Sequence, residues 1–118
     1  IYSEDNMAIY EDFEIEQGSS FRYNVTIKTS GGAAYDLSGH TLAAIMKKTY
    51  NSSTTTATFT TAATSVPGEI QMSLTDEQTA SIKAGRYVFD ILMETPSTDK
   101  YRVVEGQVTV SPGVTTIA

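Results

Sequence analysis

The sequence predicts an all-β fold, a seven-stranded antiparallel β-sandwich carrying one short helix, and three observations predict it. Apolar and polar residues alternate with a period of two in several stretches, most clearly over residues 21–29 and 87–93. Glycine, proline, serine and asparagine clusters interrupt those stretches roughly every 8–12 residues, the spacing of sandwich turns. The one helical signal, opening at Thr75, is too short to form a layer of its own.

Taken in order, six acidic residues fall within the first sixteen positions. Residues 11–17 alternate, with Asp12, Glu14 and Glu16 on one side and Phe13 and Ile15 on the other, which predicts an amphipathic edge strand whose acidic face discourages unwanted pairing. Gly18 breaks it. Residues 21–29 follow as a strand with Phe21, Tyr23, Val25 and Ile27 facing one way. Ser30-Gly31-Gly32 is a turn, residues 34–37 are a short bridging strand, and Ser38-Gly39-His40 is a second turn. Residues 41–49 form the third main strand. Its near-continuous apolar run, Leu42 to Met46, predicts burial on both faces or a bulge. The threonine-rich segment 51–64 has one large apolar anchor, Phe59, and reads as an exposed loop leading to an edge strand over 55–61.

The second half is organised around a strand–helix–strand block. Ile70, Met72 and Leu74 alternate with polar residues. Thr75 then caps a short helix, Gln78 completes a capping box, and Asp76 and Glu77 suit the positive helix start. Lys83 is placed in the last turn and Gly85 at a left-handed exit. Tyr87, Phe89, Ile91 and Met93 share the inward face of the next strand. Residues 96–100 make a hairpin loop, and residues 101–110 return with a phase change whose expected bulge site is Gly106.

At 118 residues the chain is one domain, placed at residues 10–113, with 1–9 as an N-terminal extension and 114–118 as a tail. It has no cysteine, so apolar burial alone must offset the ordering entropy of about 1–2 kcal/mol per residue. A net charge of −6 and a pI near 4.6 argue against duplex nucleic acid or an anionic membrane as partner. No apolar run approaches a membrane-spanning length.

Ala84-Gly85-Arg86-Tyr87-Val88-Phe89 resembles the tyrosine corner of immunoglobulin-like (Ig-like) domains, in which a tyrosine near the start of strand F bonds back across the E–F corner, two residues before a cysteine. Tyr87 takes the tyrosine's position and Phe89 the cysteine's. With neither cysteine nor tryptophan present, the resemblance implies an Ig-like sandwich with the helix between its E-like and F-like strands, not an antibody domain. From Tyr10 onward the chain also resembles small β-sandwich proteins of tailed bacteriophages. The resemblance is carried by Phe13-Glu14-Ile15-Glu16-Gln17-Gly18-Ser19-Ser20-Phe21, by Asp36-Leu37-Ser38-Gly39-His40-Thr41-Leu42, by Ser73-Leu74-Thr75-Asp76-Glu77-Gln78-Thr79-Ala80 followed by Ala84-Gly85-Arg86-Tyr87-Val88-Phe89-Asp90, and by Glu105-Gly106-Gln107-Val108-Thr109-Val110-Ser111-Pro112. It implies a non-enzymatic virion component of the tail, baseplate or fibre-attachment region. Such a part is assembled in the host cytoplasm, its partners are other virion proteins or copies of itself, and it needs no cofactor.

Reactive chemistry finds little support in the residues. His40 is the only histidine and sits in a turn, without the aligned nucleophile and carboxylate that a triad needs. One histidine and no cysteine disfavour zinc. Carboxylates alternating on a strand stand nearly 7 Å apart, too far for neighbours to share calcium without loop oxygens. Gly31-Gly32 lacks the lysine-bearing helix of a phosphate loop. Structural roles therefore fall to Tyr87, Phe89, Gly85, Thr75 and Gln78. Tyr35 and Tyr50, in or beside loops, are the candidate ligand contacts for the other reading of the sequence, a host-surface glycan receptor.

Overall fold

Alternation between interior and solvent decides where strands form. The computed structural model describes residues 9–28 and 31–114. It contains β1 (Ile9–Tyr10), β2 (Phe13–Glu16), β3 (Phe21–Thr26), β4 (Thr41–Lys47), β5 (Ala57–Ala63), β6 (Glu69–Leu74), α1 (Asp76–Ala80), β7 (Gly85–Glu94) and β8 (Lys100–Ser111). The protein is thus mostly β, with one short helix among the described residues. Residue 30 of the predicted first turn, residues 1–8 of the predicted extension and residues 115–118 of the predicted tail lie outside the described residues. Ile9, assigned to that extension, is part of β1.

The strands make one curled, mixed sheet in the order β1-β8-β7-β4-β5-β6-β3, with β2 also paired to β8. This differs from the seven antiparallel strands expected. β1 and β2 run parallel to β8, with Ile9 opposite Val104 and Phe13 opposite Val108, while the other strand pairs are antiparallel. The alternation of Phe13 and Ile15 specifies which face goes inward, but not which neighbour the strand meets or in which direction it runs.

β5 carries the curl. Ala57, Thr58 and Phe59 pair with Met46, Ile45 and Ala44, whereas Thr60 to Ala63 pair with Ser73 to Ile70. The segment expected at an edge therefore sits in the interior of the strand order, because β-branched threonine suits edge and centre alike. Residues 34–37 form no strand, only a bridge between Lys28 and Ala34. In β4 neither burial on both faces nor a bulge occurs. Its register against β7 is regular from Thr41 to Lys47, Ala44 and Met46 point inward, and Ala43 and Ile45 lie on the outer face, exposed and half-buried.

The phase change in β8 arises at Val103, not Gly106. Ile91 faces Val104 and Leu92 faces Arg102, leaving Val103 as the extra residue, and both valines are fully buried. Gly106 serves the N-terminal strands instead. A Cβ there would coincide with the Glu11 carbonyl, whose own N–H donates to the Glu105 carbonyl at 2.8 Å. Between β1 and β2, the Asp12 carboxylate accepts the Gln107 N–H at 3.0 Å.

The interior is filled by Ile15, Val25, Met46, Met72, Phe89, Ile91 and their buried neighbours. Phe13 is the aromatic centre of the open side. Its ring lies 4.7 Å from Phe89, 4.9 Å from Tyr23 and 5.0 Å from Phe21, so it joins β2 to β3 and β7 where no backbone pairing connects β2 with β3.

Candidate functional site

The structural residues named from the sequence act as follows. The Thr75 hydroxyl accepts the Gln78 N–H at 3.2 Å, and the Gln78 side chain accepts the Thr75 N–H at 2.8 Å, a complete capping box. The helix then ends at Ser81, earlier than expected, so Lys83 lies past the last turn. Gly85 opens β7 with φ +150° instead of ending the helix. The missed signal is Thr79. Its side chain is fully buried, accepts the Gly18 N–H at 3.1 Å and donates to the Ser19 carbonyl at 2.8 Å, fastening α1 onto the β2–β3 turn after little more than one turn of helix.

The Tyr87 hydroxyl donates to the Lys83 carbonyl at 2.7 Å, while its ring is 6 % exposed and Lys48 Nζ lies 4.7 Å above it. Phe89 is buried beside it in the core. A phenol held this way meets its hydrogen-bonding need at the corner and leaves its ring in the interior.

Tyr35 and Tyr50 are not brought together. Tyr35 belongs to a cluster of connections at one end of the strands, where β3 leads to β4, β5 to β6 and β7 to β8. Here Ile27 N–H donates to the Gly68 carbonyl at 2.7 Å and Tyr35 N–H to the Ile27 carbonyl at 3.0 Å. The Tyr35 hydroxyl is 3.4 Å from His40 Nε2, and His40 Nδ1 is 2.9 Å from the Ser38 carbonyl. The Ser38 N–H bonds the Asp36 carboxylate at 3.0 Å, and this bond holds the Asp36 pKa below its ordinary value. The β3–β4 and β5–β6 connections line a depression of about 420 Å³ with Tyr35, Asp36, Leu37, Ser38, Thr64 and Val66.

Tyr50 lies elsewhere, on the outer face of β4, β7, β8 and β1. The registers order that face into rows: Glu94 beside Lys100; Ala43, Leu92 and Arg102; Ile45, Asp90, Glu105 and Tyr10; Lys47, Val88 and Gln107, with Asp12 at the edge. Tyr50 joins Ile45, Lys47, Val88, Asp90 and Arg102 around a depression of about 300 Å³. Arg102 Nε reaches Asp90 at 3.2 Å and Lys100 Nζ reaches Glu94 at 3.5 Å. The Tyr10 pKa is raised by desolvation first, then by the Asp12 carboxylate and by Tyr50, which places the two phenols on one surface. Tyr10 and Tyr50 are 58 % and 63 % exposed; with Leu92 at 39 %, three of the five most exposed large apolar side chains among the described residues share this face. Exposed apolar residues scattered singly need no explanation; three on one face mark it as a candidate interaction surface. Sequence reading overlooked the group because its members come from three strands and a loop. The one local hint was Ile45, apolar on the outward phase of β4.

Among the described residues no three histidine, cysteine or acidic side chains converge as a metal site, and no helix is long and apolar enough to cross a membrane. No protein-family model matches the chain, and a search of curated proteins finds no match.

Proposed function

We propose that this chain is a non-enzymatic interaction module, an Ig-like β-sandwich that builds or decorates a tailed-phage virion in its tail, baseplate or fibre-attachment region. The observation that carries the interaction role is the outer face of β4, β7, β8 and β1, where Tyr10, Tyr50 and Leu92 stand exposed around Ile45 and Val88. Tyrosine and arginine, both present on this face, are among the residue types on which protein interfaces depend most. The acidic residues support the same reading, since Asp12, Glu14 and Glu16 are spread along an exposed strand face. The Ig-like reading is supported by the Tyr87 corner and by strand partners. β3 with β6, and β4 with β7 and β8, correspond to the B–E and C–F–G pairings of that architecture. The virion assignment rests on the motif resemblance alone.

Co-expression with the products of neighbouring genes tests the reading. Co-elution with a tail or baseplate protein, lost in Tyr50→Ala, is expected; separate elution from all of them overturns it. The glycan-receptor reading is favoured by a different observation, the depression beside Tyr35 at the end of the strands, which mixes polar and apolar side chains. Saturable binding on a glycan array, abolished by Tyr35→Ala, would place it first.

A further inference from the structure

We infer that the outer face of β4, β7, β8 and β1 docks a second copy of this chain. The inference rests on the interaction-module reading and names its partner. The copies meet face to face about a two-fold axis parallel to the strands, between β7 and β8. Such an axis exchanges β7 with β8 and β4 with β1 while preserving each residue's height along the strand, as an isologous interface requires. The rows then decide what meets. Lys47 lies opposite the partner's Asp12, Ile45 opposite the partner's Tyr10, and Val88 opposite the partner's Gln107. At the end of the face, Glu94 lies opposite the partner's Lys100, so the two in-chain pairs, each 3.5 Å apart, close into a ring of alternating charge.

Charge complementarity is what selects a second copy over an unrelated partner. The cation of the lowest row is on β4 and the anion at the β1 edge, the arrangement that a two-fold operation matches to itself. The one facing pair of like charge is Asp90 and the partner's Glu105, and Arg102 already sits 3.2 Å from Asp90 to neutralise it. Area sets the strength. β7 and β8 face each other along about ten residues, but β4 is seven residues long and β1 two, so each copy offers about 450–500 Å² and the pair buries about 900–1,000 Å², the size of a weak, transient interface. Aligned packing of two sheets tolerates a rotation of about 30°. The net charge of −6 per copy opposes association at long range but is screened beyond about 8 Å at physiological salt.

Sedimentation velocity of the full chain at physiological salt, from about 1 μM to about 1 mM, is the test. The expected mass rises from 12.8 kDa toward twice that value. Val88→Arg, on β7 beside the two-fold axis, holds the chain at monomer mass with an unchanged thermal melt, and Asn24→Arg, exposed on β3, dimerises as the parent does. Asp12→Asn keeps the acceptor for the Gln107 N–H and removes only the charge. This variant and Lys47→Gln each weaken association about threefold, and their combination weakens it no further than either alone. A parent chain monomeric throughout, or a Val88→Arg variant that still dimerises, overturns the docking; independent, multiplying effects of the two charge variants overturn its geometry. A monomeric chain that still co-elutes with a neighbouring gene product would remove the self-docking and leave the interaction-module reading standing.

Discussion

Tyr87 is the residue at which sequence and structure agree most closely, because its requirement is local. A buried ring next to a chain reversal needs a carbonyl for its hydroxyl, and the Lys83 carbonyl supplies it at 2.7 Å. Tyr87→Phe is expected to cost about 1–3 kcal/mol in urea denaturation, since it leaves that acceptor unpaired. Tyr23 was legible only as an inward aromatic; its partner, Glu11, was not, because the 2.9 Å bond between them depends on where the N-terminal strand crosses. Desolvation first, and then the Glu11 carboxylate, push the Tyr23 pKa up to about 12 from an ordinary 10.0. The folded chain therefore binds more protons than the unfolded chain between those values. The stability this group contributes is complete below pH 10 and is lost as pH rises toward about 12. Ultraviolet titration should show the Tyr23 phenol ionising late, and Glu11→Gln should move it part of the way back, since the larger cause remains. Gly106 shows the limit of local reading. A glycine inside a strand signals either a bulge or a close backbone approach, and only the position of Glu11 decides between them.

At the scale of elements, α1 is five residues long, well short of the length at which a helix is stable alone. Its capping box was readable from Thr75 and Gln78; the contacts that hold it were not. Thr79 bonds the Gly18–Ser19 turn, while Gln17 donates from Nε2 to the Ile82 carbonyl at 2.7 Å and accepts the Gly113 N–H at 3.1 Å. Thr79→Val preserves shape and removes the hydroxyl's bonds to Gly18, Ser19 and Asp76, so a loss of about 1–3 kcal/mol in chemical denaturation is expected, with faster amide exchange at Gly18. Thr75→Ala should cost about 1 kcal/mol. The β2 strand follows the same logic. Its period of two gave its inward face, but its attachment depends on Phe13 inserting among Phe21, Tyr23 and Phe89. Phe13→Ala, at a half-buried site, should cost about 2–3 kcal/mol, less than the 3–5 typical of fully buried phenylalanine, and should expose β2 to limited proteolysis before the remainder unfolds.

Across the whole molecule, the sequence announced most of the strands and which of their side chains turn inward, because both follow from short-range periodicity. It expected seven strands where the described residues form eight, β1 being the one unforeseen. Direction and adjacency are long-range, and they were the less visible part: the parallel seating of β1 and β2, and the passage of β5 from β4 to β6. The outer face was hidden for the same reason, since Tyr10, Ile45, Tyr50 and Val88 become neighbours only when β4, β7, β8 and β1 are laid side by side. The parallel seating carries a mechanical consequence. β2 and β8 advance in the same direction, joined at four successive positions from Phe13–Val108 to Glu16–Ser111. Tension entering at Ile9 and leaving at Val114 would slide one past the other along their length instead of peeling them apart. Every rung of that ladder would bear load at once, and an optical or cantilever pulling record should show one abrupt, high-force rupture in place of a gradual yield.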